Sequence, residues 1–172
     1  MQTRDVFEHC IQFVGELEGH ETELDLAEKM GKHIEDSDLD LLVVHKLKKA
    51  IEILKPYAAE IHHTKLLYHI AQYANIVGKP RLSIPLGYIA INQPNITDKY
   101  RTLIMDLLTE IRLKLPEDVY QQEVKKTTLD VESALDDAYE WLTQQEKHAS
   151  QPATKQVFNS DLLKKPNNKA DD

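Results

Sequence analysis

The sequence predicts an all-α protein of six or seven antiparallel helices, arranged as an orthogonal bundle or a short array of helical hairpins. Three observations predict it. Apolar residues recur at helical spacing through most of the first 146 residues. Glycine is scarce, five in 172 residues, which suits helices joined by short loops. Only one short segment, Ser83 to Ile91, has a strand-like composition, and no second one exists to pair with it.

Thr3 to Glu18 is the first helix. Val6, Cys10, Phe13 and Leu17 line one face, and Gly19-His20 breaks it. Glu21 to Ile34 is the second, with Leu24, Ala27, Met30 and Ile34 inward and acidic residues in its first turn, where they complement the helix dipole. Leu39 to Leu54 is the third. Its stripe is Val43, Leu47, Ala50 and Leu54, and its other side presents His45, Lys46, Lys48 and Lys49, with Lys55 just beyond.

Pro56 opens a fourth helix, a position where its missing N–H costs nothing. Leu67, Ile70, Ala71, Ala74 and Val77 form its stripe, and Gly78 and Pro80 stop it. In Ser83 to Ile91, Ser83 reads as the cap of a short helix with Pro85 in its first turn, though Ile84, Ile89 and Ile91 would also suit a strand. Tyr100, Ile104, Leu107, Ile111 and Leu115 stripe the next helix, which Pro116 ends. Residues 116–146 form one long helix or two, with Thr127-Thr128 the natural break and Trp141 a clamp on the core. The helical domain thus spans 1–146. Residues 147–172 read as a disordered polar tail with an apolar island, Val157-Phe158 and Leu162-Leu163, that forms a candidate docking segment over 157–163.

Leu67-x2-Ile70-Ala71-x2-Ala74, followed by Gly78, Ser83, Gly87 and Ala90, resembles a single tetratricopeptide-type helical hairpin over residues 64–97. Ser83 stands where that pattern has alanine, Gly87 where it has an aromatic, and Pro94 falls about one residue early. Further on, only Ile104, Met105 and Leu108 echo it. The resemblance implies a hairpin that binds protein.

Charge is unevenly laid out. The net charge is −8, with −9 over Met1 to Leu42, +6 over Val43 to Lys114 and −6 over Leu115 to Gln145. Either the acidic flanks fold back on the basic middle, or the middle faces an acidic partner. The middle also holds five of the seven tyrosines, Tyr57, Tyr68, Tyr73, Tyr88 and Tyr100. Tyrosine joins a large apolar ring to a hydroxyl and is enriched at interfaces. Tyr68 and Tyr73 lie off the main stripe of their helix, so at least one is expected to be exposed. Lys65, Tyr68, His69, Tyr73, Arg81 and Tyr88 are therefore the candidate partner-binding residues.

The chemistry-bearing motifs are absent. There is no phosphate-cradling glycine loop, nucleophile elbow or paired-histidine zinc helix. Glu60 and His63 have the spacing of a helical di-iron site, but the second copy such a site needs is missing. His62, His69 and His45 are the remaining metal candidates. Cys10, the single cysteine, sits on an apolar face and reads as a core residue. A lone cysteine, no legible secretory leader and no apolar run of membrane-spanning length point to a cytoplasmic protein that is not in the membrane.

The leading expectation is a non-enzymatic interaction module, an adaptor, chaperone or inhibitor, that needs no cofactor or metal. Its partner is another protein, acidic in character, and self-association stays open. The alternatives are a nucleic-acid-associated regulator using Lys46, Lys48, Lys49, Lys55, Lys79 and Arg81, and a helical-bundle metal enzyme.

Overall fold

The computed structural model describes residues 2–56, 60–128 and 130–150. Among them every regular element is a helix: α1 (Thr3–Glu18), α2 (Glu23–Lys29), α3 (Asp36–Leu54), α4 (Glu60–Ile76), α5 (Pro80–Ile91), α6 (Asp98–Lys114), α7 (Glu117–Lys126) and α8 (Val131–Ser150). The count is eight where six or seven were expected. The segment after Pro116 divides at Thr127-Thr128, and 80–91 is helical throughout. No helix among the described residues is long and apolar enough to cross a membrane.

The caps explain the boundaries. Thr22 Oγ1 accepts from the Asp25 amide at 3.2 Å while the Thr22 amide donates back to Asp25, so α2 starts later than its apolar pattern alone suggests. Thr97 Oγ1 accepts from the Tyr100 amide at 3.3 Å and starts α6 at Asp98. Gly78, at φ 87°, closes α4 in the left-handed region, where a side chain would be strained. Pro80 then occupies the first turn of α5. Ser83 is not a cap. It is fully buried inside α5 and donates to the Ala71 carbonyl of α4 at 2.6 Å, tying the hairpin together.

That hairpin holds the centre of the molecule. Every residue from Leu66 to Asn75 is buried. α4 touches α1, α3, α5, α6 and α8, so it has no solvent face along this run. α1 packs on α3, α3 on α8, and α5 carries both α6 and α7. Gly87 lets α5 approach α6 closely, since a Cβ there would lie 2.9 Å from Leu108 Cδ2. The expected stripe residues Leu67, Ile70, Ala71 and Ala74 are all fully buried, each apolar side chain of leucine size contributing about 1.5–3 kcal/mol. Trp141 does clamp the core, its ring 5.8 Å from that of Tyr73. The helix α8 continues through Ser150, beyond the expected end of the domain at 146. Tyr57 and the apolar island at 157–163 lie outside the described residues.

Candidate functional site

α4 carries polar side chains on faces that a central helix must bury. Tyr68, His69 and Tyr73 are 5%, 7% and 0% exposed, so the expectation that Tyr68 or Tyr73 faces solvent is corrected. At about 100° per residue Tyr68 and Tyr73 lie about 140° apart around a helix that is surrounded, with His69 between them. On one side, Tyr73 donates its hydroxyl to Asp40 Oδ1 at 2.5 Å and packs beside Phe7 and Trp141. On the other, Tyr68 and His69 form the floor of a cleft.

This cleft lies between α1, α4 and α6 and has a volume of about 320 Å³. His9, Gln12, Phe13 and Glu16 come from α1, and Lys99, Tyr100 and Leu103 from α6. The His69 ring stacks on Phe13 at 4.6 Å, and Tyr68 meets Tyr100 edge-on at 5.6 Å. Lys65 Nζ lies 5.6 Å and Lys99 Nζ 6.0 Å from the centre of the Tyr100 ring.

Electrostatics follow from this packing. Burial pushes the His69 imidazole down to about 3, with His9, Lys65 and Lys99 adding to the effect, so it is neutral at physiological pH. Its Nδ1 is buried with no hydrogen-bond partner among the described residues. An unmet buried polar atom costs about 1–3 kcal/mol. Burial pushes the Tyr68 hydroxyl up to about 12, and burial, then Glu16, raises that of Tyr100.

The other expected partner-binding residues lie elsewhere. Arg81 donates from Nε and Nη2 to Glu123 Oε2 of α7, at 3.1 and 2.6 Å. Tyr88 is half-buried, its hydroxyl 3.2 Å from that of Tyr120. The single basic-aromatic surface expected from the sequence is thus split, and only Lys65, Tyr68 and His69 meet. The residues missed include Lys99 on α6 and, on α1, His9, Gln12 and Glu16. The spacing of three and four among those on α1 marks a polar stripe that borders its apolar one.

Most cations of the basic middle are matched. Between Val43 and Lys114, eight of the eleven have a carboxylate within 4.0 Å: Lys46, Lys48, Lys49, Lys55, Arg81, Arg101, Arg112 and Lys114. Lys65, Lys79 and Lys99 have none among the described residues. Of the six cations weighed for nucleic acid, only Lys79 lacks a carboxylate within 4.0 Å among the described residues.

The metal and nucleophile candidates are held apart or buried among the described residues. Cys10 is fully buried, burial pushes its thiol up to about 12, and Sγ donates to the His69 carbonyl at 3.6 Å. His45 pairs with Glu146, His63 contacts the Leu54 carbonyl at 2.9 Å, and His69 stacks on Phe13, so these histidines do not converge. Among the described residues no group of three or more His, Cys, Asp or Glu is placed to hold a metal ion. Comparison with protein-family models, with curated proteins and with solved structures returns no match in any of the three.

Proposed function

We propose that the chain is a non-enzymatic protein–protein interaction module, an adaptor, chaperone or inhibitor, that takes a segment of a partner protein into the cleft between α1, α4 and α6. The carrying observation is the lining of that cleft. Phe13, Tyr68 and Tyr100 offer aromatic surface, and Lys99 in the lining and Lys65 beside the Tyr100 ring have no carboxylate within 4.0 Å among the described residues. Aromatic anchors with polar groups at their rim are the composition of protein interfaces. The α4–α5 hairpin carries the residues behind the tetratricopeptide resemblance, which accords with a protein-binding role. A buried, unpaired cysteine suits a reducing, cytoplasmic setting.

The test is steric and independent of charge. Gln12 is exposed at the edge of the cleft, so Gln12→Trp fills the space without disturbing the core. Affinity capture at physiological salt should recover a protein partner with the native chain and lose it with Gln12→Trp. Recovery of no partner, or equal recovery by both, overturns the reading.

A further inference from the structure

The cations left unmatched are not scattered. Two of the three lie by a single ring, that of Tyr100, in the wall of the cleft between α1, α4 and α6: Lys99 lines that cleft and Lys65 lines the hollow beside it with Phe13 and Glu16, while the third, Lys79, precedes α5 elsewhere. Two ammonium groups held near one ring repel each other, and among the described residues no carboxylate lies within 4.0 Å of either. Elsewhere the same basic stretch is neutralised by acids from α1, α2, α7 and α8. The one acid in the cleft lining is Glu16 on α1, and it forms no ion pair among the described residues.

We propose that this cleft recognises an acidic segment of the partner protein, with glutamate or aspartate carboxylates seated between Lys65 and Lys99 against the Tyr100 ring. The proposal rests on the interaction reading above and names the partner's chemistry. Lys65 and Lys99 supply the attraction and the aromatic walls supply apolar contact for the side-chain stems. Glu16 opposes the incoming charge and limits affinity. A nucleic-acid backbone is disfavoured, because sequence-independent phosphate binding draws on many released counterions, and only two unmatched cations meet here on a chain of net charge −8.

The probe is a labelled glutamate-rich peptide and its glutamine-substituted counterpart, titrated with the full chain at low and at physiological salt. The glutamate peptide should bind and the glutamine peptide should bind at least about tenfold more weakly, with the difference shrinking as salt rises. Lys65→Gln and Lys99→Gln should each weaken the glutamate peptide by about two- to fivefold, the range of a solvent-accessible ion pair. Glu16→Gln should strengthen it by about the same factor, and Lys79→Gln should leave it unchanged. Equal binding of the two peptides overturns the proposal. So does a loss with Lys79→Gln equal to that with Lys65→Gln, or tighter binding of a single-stranded oligonucleotide than of the glutamate peptide. If Gln12→Trp abolishes capture of the partner but the glutamate peptide neither binds nor competes, the interaction stands and the acidic specificity falls. If the glutamate peptide binds as described yet no partner is captured, the specificity stands and the interaction reading falls.

Discussion

The lysines of α3 and the pair beside Tyr100 belong to one basic stretch of sequence, yet the fold treats them oppositely. Lys46 reaches Glu18 at 3.4 Å and Glu23 at 3.0 Å, Lys48 reaches Glu146 at 3.0 Å, and Lys55 pairs with Asp136. The acidic flanks do fold back, and α8 returns across some hundred residues of sequence to lie on α3. Lys99 lines the cleft and Lys65 lies beside its Tyr100 wall, and among the described residues no carboxylate comes within 4.0 Å of either. The tyrosines divide in the same way. Tyr73 is locked between Asp40 and Trp141, while Tyr68 and Tyr100 line open space. A run of charge therefore says that a surface exists, and only the identity of its neighbours says whether it is already satisfied.

On the proposed reading the α3–α8 seam is structural and the cleft functional, and three measurements break or sharpen that contrast. The largest effect belongs to the seam. Leu142 is fully buried, so Leu142→Ala should lower the unfolding free energy by about 2–5 kcal/mol in urea denaturation, while folded molecules retain partner capture. Capture lost in proportion to a cleft variant would erase the distinction.

Next is acid. His69 is held neutral with its pKa lowered to about 3 from an ordinary 6.5, facing His9, Lys65 and Lys99. Below about pH 6.5 the unfolded chain binds a proton that the folded chain refuses. Stability is thus complete above that pH and declines as pH falls toward the folded value, by about 2 kcal/mol at pH 5. His69→Gln should flatten this slope. The seam titrates lower. The hydrogen bond from Lys48 lowers the Glu146 pKa from its ordinary 4.5, so that contribution holds above 4.5 and is lost only below it. A stability profile with no fall between pH 6.5 and 5 would show that the cleft does not bury a neutral imidazole.

The smallest effect compares the lysines directly. Lys46→Gln leaves Glu18, whose side chain is 7% exposed, without its nearer cation and should cost about 1 kcal/mol. Lys65→Gln and Lys99→Gln should lower the denaturation midpoint less, because among the described residues neither lysine has a carboxylate within 4.0 Å and each lies only beside the Tyr100 ring. Equal losses at all three positions would show that Lys65 and Lys99 also serve stability.

Much of the fold was legible. Thr3–Glu18 has the limits its periodicity predicts, Cys10 is in the core, and the region around Ser83 is helical because no strand exists to pair with it. The role of Ser83 was not legible. A serine before a proline reads as a cap, but α5 starts three residues earlier and the hydroxyl bonds to Ala71 across the hairpin. The cleft was half legible. Lys65, Tyr68 and His69 are close in sequence, whereas Glu16 and Lys99 arrive from helices far apart in the chain.

The sequence by itself determined that the chain is helical, where most apolar stripes run and that the middle is basic, because these follow from periodicity, capping and composition within a few turns of chain; it misplaced the second helix, which is Glu23–Lys29 with Met30 63% exposed rather than inward. The tertiary structure alone decided that α4 is enclosed on all sides from Leu66 to Asn75, and which cations meet a carboxylate. Both depend on which helices become neighbours, and that is set by packing between residues far apart in sequence, where no local pattern reaches.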